Sequence, residues 1–310
     1  MRVTETFKTA TILLFAGMIT LGVNGCKKKE GCTDPTAVNY DATAKVDDGS
    51  CISVADQAYA DADGIMGGKL YSKFWATETG WTAPSGINAA DISDYGNFYR
   101  CKQCHGWDNM GREGVYNNRA ANAGRPSVGP SLIEPITNDP KEELFDHIFN
   151  TTGRAVDPSL TQDGTTGSGD PMPAFGNILT EGQAWDIVKY MLEERNDVTQ
   201  LYDLATSGTY PTGTHTFTNI GKDGDAAAGD AYYLANCATC HGADGAGIAI
   251  VDDGDSLSVG HFGRFSPHET QHKIKFGNLG SAMTGFPTAT ITDIKNVLKA
   301  LQDQIKYPEF

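Results

Sequence analysis

Two strings, Cys101-Lys102-Gln103-Cys104-His105 and Cys237-Ala238-Thr239-Cys240-His241, constrain this chain more than any other feature. Each has the Cys-x-x-Cys-His spacing that attaches a c-type haem covalently. On a helix, positions i and i+3 share a face, so both sulfurs of a pair reach the porphyrin edge while the next histidine turns toward iron. A zinc knuckle or a redox dithiol uses similar cysteine pairs, but neither calls for a histidine directly after the second cysteine, twice. Two covalent haems per chain are therefore expected.

The 310 residues suffice for about two domains plus extra segments. Arg2 and Lys8 form a basic start, and Thr9 to Val23 is an apolar run short for a membrane span. Val23-Asn24-Gly25-Cys26 resembles the lipobox of bacterial lipoproteins, with Asn24 a departure from it. On that reading residues 1–25 are a signal peptide and Cys26 becomes a lipidated first residue. Simple secretion is the competing reading. The seven cysteines then divide without remainder: Cys26 to lipid, four to two haems, and Cys32 with Cys51 to a disulfide. All three uses fit an oxidising, extracytoplasmic compartment, facing the periplasm or the cell surface.

The Cys32 to Cys51 segment resembles a small cysteine-bounded module of secreted bacterial proteins. Its Asp34, Asp41, Asp47 and Asp48 offer calcium hard oxygen ligands, although their spacing is not that of an EF-hand and a solvated acidic loop is the simpler reading. Lys and Arg total 24 against 39 Asp and Glu, a net charge of −15, which excludes nucleic acid as an expected partner.

Order repeats along the chain, though no fixed period does. Each half runs Cys-x-x-Cys-His-Gly, then an irregular glycine-rich stretch, then Met-x-x-Phe (Met172 and Phe175, Met283 and Phe286), then an amphipathic helix. The first such helix is expected over 181–195, opened by a Thr180/Gln183 capping box, with Ala184, Trp185, Val188, Met191 and Leu192 on one face. In the second, Ile291, Ile294, Val297, Leu298, Leu301 and Ile305 form the stripe. Gly208, Pro211 and Gly213 mark 199–221 as a connector, within which Thr214 to Thr218 suits a strand. The boundaries that follow are 26–56 for the anchor segment and disulfide module, 57–198 for a first domain, 199–221 for a linker and 222–310 for a second domain.

These residues resemble a tandem of class I cytochrome c domains. The resemblance implies a mainly α, loop-rich fold of two haem-binding domains behind the small disulfide-bridged module. Gly229 and Tyr233 stand before Cys237 as glycine and aromatic do on the family's N-terminal helix, which packs against the C-terminal helix. The first half departs from this, with Ser93 and Asn97 at the same offsets and Gly96 with Phe98 or Tyr99 as substitutes. It also carries a long insertion containing Arg112, Arg119 and Arg125, of which Arg119 and Arg125 are weighed equally as propionate partners and as surface charges.

Axial ligation decides whether such a haem carries electrons or does chemistry. His105 and His241 are the proximal candidates. Met172, restrained by Pro171 and Pro173, and Met283, in a loop before the last helix, are the distal ones. His147, His261, His268 and His272 are rivals for which a solvated position is expected, and Met110 stands too near its haem string. With iron closed by histidine and methionine, a dihaem carrier of single electrons between redox donor and acceptor proteins is the leading reading. A dihaem peroxidase or the cytochrome subunit of a dehydrogenase complex is the alternative, and a thiosulfate-oxidising enzyme with a cysteine ligand is disfavoured because no cysteine is spare.

Overall fold

The computed structural model describes residues 28–77, 81–83, 96–122, 124–154, 172–252 and 254–309. Cys26 and the signal segment lie outside them. The chain divides into two compact units, Met1–Val54 and Ala55–Phe310. Among the described residues no helix is long and apolar enough to cross a membrane.

The first unit is organised around a Cys32–Cys51 disulfide, which closes a loop of sequence separation 19 beside a two-residue parallel strand pair. Its carboxylates are engaged locally: Asp34 accepts from the Thr36 amide and hydroxyl, Asp41 from Thr43 and Lys29, Asp47 from the Gly49 amide, and Asp48 from the Ser50 amide. The four acids offered to calcium do not gather. Among the described residues, the one group of three metal-ligating side chains within 4.8 Å of one another is Asp139, Glu143 and His147.

In the second unit, each haem motif sits beside a pair of helices packed at close range. In the C-terminal half, Ala226–Asn236 lies against Ile291–Ala300, capped at its start by Asp225 and, on the partner, by a Thr290/Asp293 box. Gly229 permits this approach, because a Cβ there would fall on the Asn296 carbonyl and 2.9 Å from the Val297 nitrogen. Ile294, Val297, Leu298 and Leu301 are all 2% exposed or less, whereas Ile305, expected on the same stripe, is 96% exposed beyond the helix end.

The N-terminal half repeats the arrangement from a different place in the sequence. Its first helix is Gly64–Lys73, capped by Asp63, and it packs against Glu181–Lys189, whose Thr180/Gln183 capping box forms as expected. Gly67 takes the place of Gly229: a Cβ there would fall on the Asp186 carbonyl and 2.9 Å from the Ile187 nitrogen. Tyr71, one turn further on, takes the place of Tyr233. The substitutes looked for just before Cys101 do not serve; Gly96–Tyr99 is a single 3-10 turn, too short to lie along another helix. The closing helix continues as a π-helical turn over Tyr190–Glu194.

The 199–221 segment, read as a linker, holds an antiparallel hairpin that pairs 203–207 with 214–218. Leu201 and Tyr202 enter the C-terminal core, while Leu204 and Phe217 also pack against Trp107, Val115 and Val128 of the N-terminal half. A second tie is the Pro267–Phe276 helix. Phe276 joins the N-terminal core, Gln271 donates to the Trp107 carbonyl at 3.1 Å and accepts from Asn196 at 2.6 Å, and Lys275 pairs with Glu194 at 2.8 Å.

Candidate haem sites

Cys101–His105 forms a helix of little more than one turn, ended by Gly106 at φ 77°, a conformation that favours glycine. Tyr71 donates to the Gly106 carbonyl at 2.7 Å, so the helix pair and the haem motif are locked by one buried hydrogen bond. The second motif is held in the same way: Tyr233 donates to the Gly242 carbonyl at 3.0 Å, and Gly242 also has φ 77°.

Around the first motif, the Gly129 amide donates to the Cys104 carbonyl at 2.8 Å, which brings the 127–130 loop under the imidazole. His105 Nδ1 lies 3.5 Å from the Pro130 carbonyl, and a Cβ at Gly129 would stand 3.2 Å from the ring. With Nδ1 turned to the backbone, Nε2 is the nitrogen left for a metal. Burial lowers the His105 pKa, with the Pro130 carbonyl opposing, so the ring is held in the neutral form that ligates. Burial likewise lowers His241, with the Ile248 backbone opposing.

A cavity of about 230 Å³ is lined by Cys101, Cys104, His105 and Met172, and also by Arg100 and Arg112. A second, of about 600 Å³, is lined by Cys237, Cys240, His241 and Met283. Each therefore gathers two thiols, an imidazole and a thioether at one mostly apolar pocket, a donor set that suits a thioether-linked haem with histidine and methionine on iron. The four cysteines of the two motifs are free, and burial pushes the Cys101 thiol up to about 12 and the Cys237 thiol to about 11.

The rival ligands are placed elsewhere. His147 is exposed beside Glu143, and His261 faces Glu309 at 3.6 Å. His268 and His272, expected in solvent, are 7% and 1% exposed; they stack on Phe217 and against Trp107 at the junction of the two halves. They line neither cavity, because the face of their helix that carries them is turned into the inter-domain core. Met110 packs into the C-terminal core.

Arg119 bonds to the Gln103 carbonyl and side chain and lies 4.5 Å over the Tyr116 ring, and Arg125 donates to the Ala120 carbonyl. Neither lines a cavity. Arg100 and Lys102 do, and nothing in their sequence context singled them out.

A helix pair clasping a Cys-x-x-Cys-His turn, built twice in one chain, defines a c-type cytochrome with two such domains. Residues 96–194 match the cytochrome c family and residues 224–298 match the family of cytochrome C oxidase, cbb3-type, subunit III. This chain is a multi-domain c-type cytochrome, an electron-transfer haem protein of a family that binds haem c covalently. The first match begins downstream of Gly64–Lys73, where the N-terminal half departs from the usual spacing. No curated protein matches the chain in sequence. Among solved structures, the thiosulfate dehydrogenase TsdBA of Marichromatium purpuratum, in its as-isolated form, is 12% identical over 80% of this chain and 46% of that one, with a TM-score of 0.18. The chain thus spans under half the length of that protein, and so low a score bears on no question of reaction.

Proposed function

We propose that the chain is a dihaem carrier of single electrons, with one haem on Cys101 and Cys104 between His105 and Met172, and the other on Cys237 and Cys240 between His241 and Met283. The observation that carries this is that each cavity is lined by its own cysteine pair, histidine and methionine. Haem closed by both ligands supplies reversible one-electron exchange at a raised potential and offers substrate no open position on iron. The protein's own part is to hold the imidazoles neutral and oriented, through Pro130 and Gly129 in the first site, and to keep the two sites in one compact unit.

The donor and acceptor in this reading are extracytoplasmic redox proteins. Cys26 carries the lipid that holds the chain at a bacterial membrane, and residues 1–25 direct export. The likeness of 224–298 to an oxidase subunit supports a larger redox assembly as the partner. Calcium gains no support from the disposition of Asp34, Asp41, Asp47 and Asp48.

A spectroscopic redox titration of the mature protein tests the proposal. Two haem equivalents, each low-spin with a methionine-to-iron band in the oxidised state, are expected. A single equivalent, or fast peroxide turnover by the reduced protein, overturns it in favour of a different haem count or a dihaem peroxidase.

A further inference from the structure

At the junction of the two cavities, positive charge is concentrated in a molecule whose net charge is −15. Arg100 lines both cavities, and Lys102 lines the second although it belongs to the first motif. Lys273 and Glu269 line the second as well. Glu269 is 3.4 Å from Lys273, which also donates to Asn278 at 2.6 Å. Burial works to raise the Glu269 pKa, but Lys102, Lys273, His268 and Arg100 together bring it below the usual value, so it is ionised.

One buried carboxylate does not balance this set. Among the described residues neither Arg100 nor Lys102 forms an ion pair within 4 Å. Arg100 donates through Nε to the Ser72 carbonyl at 2.8 Å. Lys102 is 8% exposed, with Nζ 4.6 Å from the centre of the Trp107 ring. A cation over an indole gains about 0.5–2 kcal/mol, whereas an ammonium taken out of water with only a share of Glu269 as counter-charge still loses several. Burial, then the neighbouring Arg100, push the Lys102 pKa well down in the absence of a further anion. The cavity these groups face is the one assigned above to the second haem, and a haem edge carries two carboxylates.

We propose that Arg100 and Lys102, supplied by the first haem domain, bind the propionates of the second domain's haem, and that Arg100 is shared with a propionate of the first. The inference rests on the dihaem reading. The guanidinium is suited to two carboxylates at once, since its planar fork presents five donors in fixed directions. The two haems then meet through one cation, and their potentials are electrostatically linked across the domain junction. A cation beside a haem favours the reduced, less positive iron, so its loss lowers that haem's midpoint.

The test is a spectroelectrochemical titration of the full mature holoprotein and of Lys102→Met, Lys102→Arg and Arg100→Gln, with haem content measured in parallel. Lys102→Met is expected to lower the second haem's midpoint by more than the first's, Lys102→Arg to restore it, and Arg100→Gln to lower both. If Arg100→Gln does not accumulate, the Lys102 pair decides. Midpoints unmoved in Lys102→Met, or moved alike in Lys102→Met and Lys102→Arg, overturn the inference while two haems per chain leave the dihaem reading intact. Fewer than two haems in the wild type overturns that reading instead.

Discussion

Replacing Gly229 by alanine tests the helix contact on which the second haem site is built. The added Cβ lands on the Asn296 carbonyl and 2.9 Å from the Val297 nitrogen, so Ala226–Asn236 must retreat from Ile291–Ala300. Ile294, Val297 and Leu298, all 2% exposed or less, lie in the seam that opens. Full burial of such a side chain is worth roughly 1.5–3 kcal/mol, and a gap of 0.5–1 Å forfeits about a quarter to a half of the contact energy. The loss is then roughly 1–4 kcal/mol, of which the better helix propensity of alanine offsets about 1. A net destabilisation of about 2 kcal/mol lowers the midpoint of a compact unit the size of Ala55–Phe310 by roughly 4–8 °C. The assay is thermal unfolding of the holoprotein followed by haem absorbance, with Gly182→Ala as control. A Cβ at Gly182, in the first turn of Glu181–Lys189, meets only the Thr180 hydroxyl at 3.9 Å, so that variant keeps or gains stability. A Gly229→Ala protein as stable as Gly182→Ala would refute the close-approach argument.

Met172→Ala and Met283→Ala are each expected to remove about half of the methionine-to-iron absorption and to lower one midpoint; spectra left unchanged would mean that other groups hold the irons. His268 is buried and its pKa is lowered by that burial to about 4, with Glu269, His215, Lys102 and Arg119 around it. Its folded pKa lies below the unfolded value near 6.5, so the folded state binds fewer protons in between and this contribution to stability grows as pH rises from about 4 to 6.5. Denaturant titrations of wild type and His268→Phe should differ in slope by about 1.4 kcal/mol per pH unit across that window, about 3 kcal/mol in all. Asp108 has the opposite sign. Burial raises it to about 6, so the stability of wild type relative to Asp108→Asn should fall as pH rises from about 4 to 6, and a difference that stays flat across that window would count against the raised Asp108 pKa. Cys32→Ser removes a loop closure worth about 3 kcal/mol from the N-terminal module, and it should leave both haem spectra untouched.

The Cys-x-x-Cys-His strings and both closing helices were legible in the residues because each is a local pattern. A thioether pair needs a fixed i, i+3 spacing, and an amphipathic helix repeats its apolar face at a fixed period. The opening helix of the first domain was harder to see. Its Gly67 and Tyr71 have the same separation as Gly229 and Tyr233, but they lie a long insertion away from Cys101, so an offset counted back from the cysteines misses them. Only the shared spacing within the pair could have found them.

By itself, the order of residues determined where the two Cys-x-x-Cys-His motifs fall, which cysteines bridge, and which helices close each domain. Tertiary structure decided what lies between the domains. It turned the 199–221 connector into a packed hairpin, buried His268 and His272 instead of leaving them in water, and carried Arg100 and Lys102 from one motif to the wall of the cavity beside the other. Local spacing reports which atoms a short segment can present together, whereas burial and charge compensation depend on segments far apart in the chain that meet only once it has folded.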